Sequence, residues 1–507
     1  MGNTFDGITG AGNTFDPHLH QQHYQRGKNT HISSSSSSSS SNIPTSQFHD
    51  ALTKEESNDA LTKEESNSIS EIWSSIQQLS SSVSLHDDDD KPDDLKTDDS
   101  SIKEVLKSLF ISPLLVNLYL KSYKISSIND IKKFVRLLTR ETTRDAIETI
   151  WILLDDSDNR LISFFNILLE IAIPQHNTEE IIKVSALFAE MLIKYNRKRK
   201  SNQVNYDNNE QNDDKDNNIV LLDDFISWCH EYAPFVPKLL ETVMTNAFFS
   251  SIHQPSYTPF HPVYLTDKSD IVSTQLLLPL ALYSSSCQGQ WKRLYTTQTD
   301  GWAFNRISHH ILGYSGPTCI IFKSVIDRVP HIFGSFNADR WKDSNAFFGS
   351  SSAFLFTLTP ELQILRNKNG SNNNYQWLNT RTYGKPHGFG MGGTVDEFRI
   401  FIPDSMENCY AAPSCLTFES GKLISRSLVE GTHEFRIDAL EIWACGGTTL
   451  INQGLNAQKK YKDNVDDAIK KAQKCDKAAF FGNAFDQEMF LSKTMAHKQG
   501  AQDRADV

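Results

Sequence analysis

From residue 102 the apolar positions recur at three- and four-residue spacing, beginning with Ile102, Val105, Leu106 and Leu109. That period lays them along one side of a helix, and Pro113 marks a restart. The same spacing predicts helices over 128–140, 143–154, 163–173, 179–195 and 223–232, with another opened by Pro237 and running to Phe249. Together they make an all-helical module over 101–250, and its Asn- and Asp-rich insert at 202–218 reads as a loop. Pro255, Pro259 and Pro262 then punctuate a connector, after which the period drops towards two. Phe354, Phe356 and Leu358 alternate with their neighbours, as do Phe398, Ile400 and Ile402, and Leu440, Ile442 and Ala444. Such positions point to strands with a face in a core, and 319–326 and 331–336 add two more. Short strands separated by Gly, Asn and Pro clusters, with no helical crossover after each, predict a two-sheet antiparallel β-sandwich. Helices at 276–283 and 301–313 would flank it, so the fold class is α+β. After Gly446 and Gly447 the helical period returns over 456–474, with Tyr461, Val465, Ala468, Ile469 and Ala472 on one side. The tail beyond carries Phe480, Phe481, Phe485, Met489, Phe490 and Leu491. Large apolar groups at that density require a partner, either the body of this chain or another protein.

Residues 1–100 are different in kind. They hold a serine run at 33–41, the duplicated GNTFD at 2–6 and 12–16, and DALTKEESN at 50–58 and again at 59–67. Units this short do not build a stacking repeat, which takes about 20 residues or more. The segment ends in an acidic block with only Lys91 and Lys96 opposing it, and reads as a disordered low-complexity leader. Over all 507 residues, 38% are hydrophobic, so part of the length cannot bury enough apolar surface to offset chain entropy. The net charge of -12 disfavours a long-range grip on nucleic acid, and none is expected as a partner. Seven cysteines without regular spacing predict free thiols in a reducing compartment. The sequence shows neither a signal-peptide pattern nor an apolar run of membrane-spanning length, and reads as a soluble intracellular chain.

Candidate chemistry is sparse. Gly388, Gly390 and Gly393 have the spacing of a dinucleotide fingerprint, but residues 394–402 after them are strand-like, whereas pyrophosphate binding requires a helix N-terminus there. The glycines are better explained by close strand packing, and no cofactor is expected. Residues 149–170 have a helix–loop–helix outline in which Asp155, Ser157 and Asn159 could ligate calcium. Arg160 replaces the turn glycine and Asn166 the bidentate glutamate, so the pair reads as EF-hand-like without calcium. A second loop at 213–224 carries Lys215 at a ligand position. His309 and His310 are adjacent and diverge, and Cys409 and Cys415 form no metal-type pair; no catalytic set is expected. The cluster Arg197-Lys198-Arg199-Lys200 reads as a solvated helix end. Gly2, after Met1, is a lipidation candidate, although Asp6 stands where the myristoylation motif asks for Ser or Thr.

The segment 273–446 resembles a TLDc domain. The matching stretches are Gly313-Tyr314-Ser315 before Thr318-Cys319-Ile320-Ile321, Ile332-Phe333-Gly334-Ser335-Phe336, and residues 350–358 followed by Pro360. Gly388 to Gly393 before Glu397-Phe398, Cys415-Leu416-Thr417-Phe418, and Phe435-Arg436-Ile437 with Leu440-Glu441-Ile442-Trp443 complete the set in order. The resemblance implies a two-sheet sandwich with helices and no established catalytic site, followed by a C-terminal helical extension over 447–507. A Met-Gly start, an EF-hand-like region and that extension look most like the lysosome-associated, mTOR-linked branch and its fungal telomere-capping-restriction relatives. That branch implies binding to the vacuolar proton-pumping ATPase and a peripheral place on lysosomal or endosomal membranes. The oxidation resistance branch implies stress protection, for which Cys409 or Cys415 would be the reactive groups.

Overall fold

The computed structural model describes residues 61–83, 127–139, 143–153, 160–173, 178–204, 220–249, 259–368, 372–424 and 433–482. The calcium-loop positions Asp155, Ser157 and Asn159, the lipidation candidate Gly2, the first predicted helix at 102 and the tail from Phe485 lie outside them.

Seven helices precede the sheets among the described residues: α1 (Lys63–Val83), α2 (Ile128–Thr139), α3 (Thr143–Leu153), α4 (Arg160–Ala172), α5 (Thr178–Val204), α6 (Leu222–Tyr232) and α7 (Val236–Phe249). Six of them follow the sequence periodicity. Helix α1 does not, because it falls inside the segment 1–100 whose composition predicts a disordered leader. Its start is a reciprocal capping box: the Glu65 amide donates to Thr62 Oγ1 at 3.2 Å, and the Thr62 amide donates to the Glu65 carboxylate at 2.9 Å. Ile69, Trp73 and Ile76 then follow at helical spacing and are buried against α2 and α7. Ser68 Oγ donates to the Phe248 carbonyl at 2.7 Å, and Lys132 Nζ to Ser66 Oγ at 2.6 Å. Averaged composition hides this box, which lies in the second copy of the DALTKEESN duplication. Thr62→Ala is expected to lower stability by about 1 kcal/mol in urea denaturation, a usual cost of losing an N-cap.

The centre of the helical module is α4, where Phe164, Phe165, Ile167, Leu168, Leu169 and Ile171 are all buried. Around it Trp151, Phe188, Phe225 and Trp228 form a continuous aromatic cluster, with Phe165 stacked on Phe188 at 4.7 Å and edge-on to Trp228 at 5.6 Å.

The sheets are built from β1 (Tyr264–Leu265), β2 (Gln290–Thr296), β3 (Thr318–Ile326), β4 (Val329–Asn337), β5 (Phe354–Thr359), β6 (Gln363–Leu365), β7 (Gln376–Asn379), β8 (Gly388–Gly393), β9 (Phe398–Pro403), β10 (Cys409–Ala411), β11 (His433–Phe435) and β12 (Ala439–Ala444). One sheet has the order β1-β2-β12-β3-β4-β5-β6 and the other β11-β10-β9-β8-β7. Every pairing is antiparallel except β1 with β2. Ile320, Phe322, Phe333, Leu355, Leu440 and Ile442 of the larger sheet meet Leu378, Phe389, Met391, Ile400 and Ile402 of the smaller one in a single core. This is the two-sheet sandwich that the period-two pattern predicts.

Between the sandwich and the helical module lies α8 (Thr274–Tyr283), in which every residue from Gln275 to Leu282 is buried. It touches α4, α5 and α6 on one side. Its last residue, Tyr283, packs edge-on against Phe354 of β5 at 4.8 Å. A helix apolar all round has to be buried all round, and so it fills the seam between the two parts. Arg366 reinforces the rim of the seam: it reaches Glu419 at 2.9 Å within the sandwich and Glu231 at 3.0 Å on α6, and lies 4.7 Å over the Tyr232 ring. These pairs are partly exposed, so Arg366→Ala is expected to cost about 1 kcal/mol. Faster proteolysis around α6 would be its readout.

Helices α9 (Thr297–Asp300) and α10 (Phe304–Ile311) follow β2, and α11 (Gly447–Gly482) follows β12. Helix α11 begins nine residues before the periodicity that predicts it, because its first turns are glycine- and polar-rich. Among the described residues no helix is long and apolar enough to cross a membrane.

Candidate interaction surface

The most conspicuous feature outside the core is α11, which is docked along its first turns as far as Tyr461 and exposed from residue 463 to residue 474. Gly446 and Gly447, at φ +90° and +83°, turn the chain out of β12 in a conformation that side chains rarely adopt. Thr448 Oγ1 then donates to Gln290 Oε1 at 2.5 Å, and Ile451 is buried beside Ala444 and Tyr314. At Gly454 the helix lies directly on Tyr314: a Cβ there would come within 2.4 Å of the ring. One turn on, Gln458 Nε2 donates to the carbonyl oxygens of His310 and Leu312 at 2.6 and 3.4 Å, which satisfies acceptors at the open end of α10. Tyr461 covers Gly313, where φ is +81° and an added Cβ would come within 2.5 Å of the tyrosine.

Beyond this point the side chains from 463 to 474 are all exposed, a stretch about 18 Å long. Val465 is 40% and Ile469 50% exposed, one turn apart and in line with Tyr461. Residues 459–474 carry Lys459, Lys460, Lys462, Lys470, Lys471 and Lys474 against Asp463, Asp466 and Asp467, so this segment is cationic in an acidic chain. A free helical segment of this length is marginal in water, and its stability rests on tertiary contact. Over 463–474 three lysines balance three aspartates, so the exposed stretch presents Val465 and Ile469 between charges of both signs.

The other residues singled out from the sequence do not converge. Gly388, Gly390 and Gly393 lie in β8, where a Cβ at Gly388 would come within 2.2 Å of the Ile402 carbonyl oxygen and one at Gly393 within 2.1 Å of that of Glu397. Close strand approach is therefore their use. His310 turns inward, with Nδ1 2.7 Å from the Leu294 carbonyl oxygen, while His309 is exposed beside α11. Partial burial and the Lys462 ammonium hold the His309 imidazole below its usual range. Cys409 is buried, and its thiol is pushed up to about 12 by that burial, so it is no nucleophile at neutral pH. Cys415 is half-buried and its sulfur accepts from the Phe418 amide at 3.2 Å. In the basic cluster, Arg199 pairs with Asp224 of α6 at 3.1 Å, and α5 continues past it to Val204. Among the described residues no group of three or more His, Cys, Asp or Glu is placed to hold a metal.

Two charged residues that sequence reading passed over are structural keystones. Arg399 is fully buried on β9 and donates to the carbonyl oxygens of Ala412, Glu419 and Gly421, holding the 412–421 loop against the smaller sheet. Burial lowers its pKa to about 10, which leaves it charged at neutral pH. Glu441 is fully buried on β12 and accepts from Ser269 Oγ at 2.7 Å, the Asp270 amide at 2.9 Å and Trp443 Nε1 at 3.0 Å. Both stand at the alternate positions of their strands, between Phe398 and Ile400 and between Leu440 and Ile442, where a two-residue period allows a polar side chain, so the pattern carried no sign that they are buried.

Residues 265–446 match the TLDc domain family. The MTOR-associated protein MEAK7 of Xenopus laevis is 34% identical over 161 residues, which is 31% of this chain and 33% of that protein. Its Gallus gallus counterpart is 30% identical over 213 residues, 42% of this chain and 41% of that protein. Oxidation resistance protein 1 of Xenopus laevis is 24% identical over 198 residues, 38% of this chain and 20% of that protein. The chain thus spans a third to two fifths of the length of the MEAK7 relatives. The sandwich, its order of strands and these likenesses agree: the chain carries a TLDc domain at residues 265–446, homologous to those of the mTOR-associated MEAK7 and oxidation resistance proteins.

Proposed function

We propose that this protein is a non-enzymatic regulatory adaptor. Its TLDc sandwich holds α11 outward to grip the vacuolar proton-pumping ATPase on lysosomal or endosomal membranes, in connection with mTOR signalling. The observation that carries the reading is the exposed stretch 463–474 of α11, where Val465 and Ile469 stand open on a helix fixed at its root to the sandwich. Likeness to MTOR-associated proteins supports the signalling link. The test is recovery of the ATPase from lysosomal membranes with the full chain and with a V465D/I469D variant. Both positions are exposed, so the fold is expected to stand while recovery falls to background. Equal recovery with both proteins would remove α11 as the gripping element, and recovery with neither would remove the pump as the partner.

A second reading, protection against oxidative stress through a cysteine of the TLDc domain, is favoured by the half-exposed Cys415 and the oxidation resistance relatives. Peroxide turnover by the full chain that disappears on Cys415→Ser would establish it.

A further inference from the structure

Three buried thiols lie around the root of α11, away from its exposed stretch. Cys319 lies on β3 opposite Trp443 of β12, so Cys445, two residues beyond Trp443, points to the same face of the sheet. The Cys445 amide donates to the Pro317 carbonyl oxygen at 3.0 Å, which holds it beside the start of β3, and its thiol donates to the Trp443 carbonyl oxygen at 3.5 Å. Cys287 comes from the single turn Ser285–Cys287. All three are fully buried. The same turn touches the helix root, since a Cβ built on Gly446 would be 3.6 Å from the Ser286 carbonyl oxygen.

We propose that Cys319 and Cys445 are a redox-responsive dithiol that hydroperoxides convert to a disulfide. In the first step one thiolate attacks a peroxide oxygen and the O–O bond breaks. The leaving oxygen takes up the proton lost by the thiol and departs as an alcohol, or as water from hydrogen peroxide. The sulfenic acid so formed is attacked by the second sulfur; its hydroxyl leaves as water and the S–S bond closes. Two thiols have then lost two protons and two electrons, and the hydroperoxide has accepted them as it becomes alcohol and water.

Geometry ties this step to α11. Diagonal neighbours on antiparallel strands have Cα atoms about 7–8 Å apart, whereas a disulfide needs about 4.4–6.8 Å. Closing the bond therefore requires the end of β12 to shift by about 1 Å, and Gly446 and Gly447, which come immediately after it, can absorb that shift. The oxidised root then differs from the reduced one where the helix leaves the sheet. Burial pushes the Cys287 and Cys445 thiols well above the ordinary range, which keeps them neutral while the root is closed. Reaction accordingly waits on opening of the root, and Cys415 is expected to oxidise roughly tenfold faster or more.

The full-length protein is treated with hydrogen peroxide, unfolded in N-ethylmaleimide and mapped by peptide mass spectrometry. A dithiothreitol-reversible Cys319–Cys445 linkage is expected, forming faster at higher pH and in sub-denaturing urea, and absent from Cys445→Ala. Cys319 and Cys445 both recovered alkylated after Cys415 is fully oxidised, or recovered only as sulfinic and sulfonic acids, would overturn the dithiol. Hydrogen exchange over 447–462 is expected to change on oxidation, and identical exchange in the two forms would overturn the coupling. Any effect on partner binding rests on α11 being the gripping element, but the linkage is read without a partner, so the two proposals can fail separately.

Discussion

Glu441→Ala is expected to destabilise the protein by about 4 kcal/mol, read as a lower urea midpoint at unchanged slope. The carboxylate is buried and collects three donors from two places: Ser269 and Asp270 in the connector before α8, and Trp443 on its own strand. Truncation leaves all three without this acceptor, and each donor that stays out of water costs about 1–3 kcal/mol. It also unclips the connector from β12, an interior strand of the larger sheet. Glu441→Gln keeps one oxygen acceptor and is expected to recover about half of the loss. A loss below about 1 kcal/mol for the alanine variant would mean that water replaces the carboxylate, and the clip would not be a keystone.

Gly454→Leu is expected to release the docked half of α11 without unfolding the sandwich. A Cβ at this position meets the Tyr314 ring at 2.4–3.0 Å. That ring is fully buried beneath the helix and has no space to swing aside. Overpacking of this kind costs about 1–3 kcal/mol, comparable with what a few turns of surface helix gain by docking, so the helix lifts away instead. Proteolysis within 447–462 should accelerate while the urea midpoint of the sandwich changes little. The same variant is expected to lose the ATPase, because a helix detached at its root no longer presents its stripe in one direction.

The larger part of this architecture was legible because it follows from period. Strands with one face in the core alternate strictly, as Ile400 and Ile402 do, and helices with one buried stripe show the spacing that located α2 through α7. What escaped did so for identifiable reasons. Helix α1 has a capping box and three anchoring residues inside a segment whose average composition is polar, so only a position-by-position reading finds it. Helix α8 is buried all round and shows no stripe, so its length is readable but not its role as the filler between the two parts. Arg399 and Glu441 are single polar residues in apolar strands, and their partners come from distant loops that no local pattern reports. That Cys319 and Cys445 share one face of the larger sheet depends on strand register, which their sequence spacing does not report. By contrast, the apolar stripe of α11 was plain in the sequence, and the structure adds that the helix is docked as far as Tyr461 and exposed over 463–474.

Hydrogen exchange of residues 463–474, measured on the full chain with and without purified vacuolar proton-pumping ATPase, addresses the central claim most directly. These amides belong to a helix exposed on every side and are expected to exchange rapidly in the free protein. With the pump bound, strong protection is expected there, centred on Val465 and Ile469. Stable binding that leaves this stretch exchanging at its free rate would contradict the account, because the grip would then lie elsewhere on the chain.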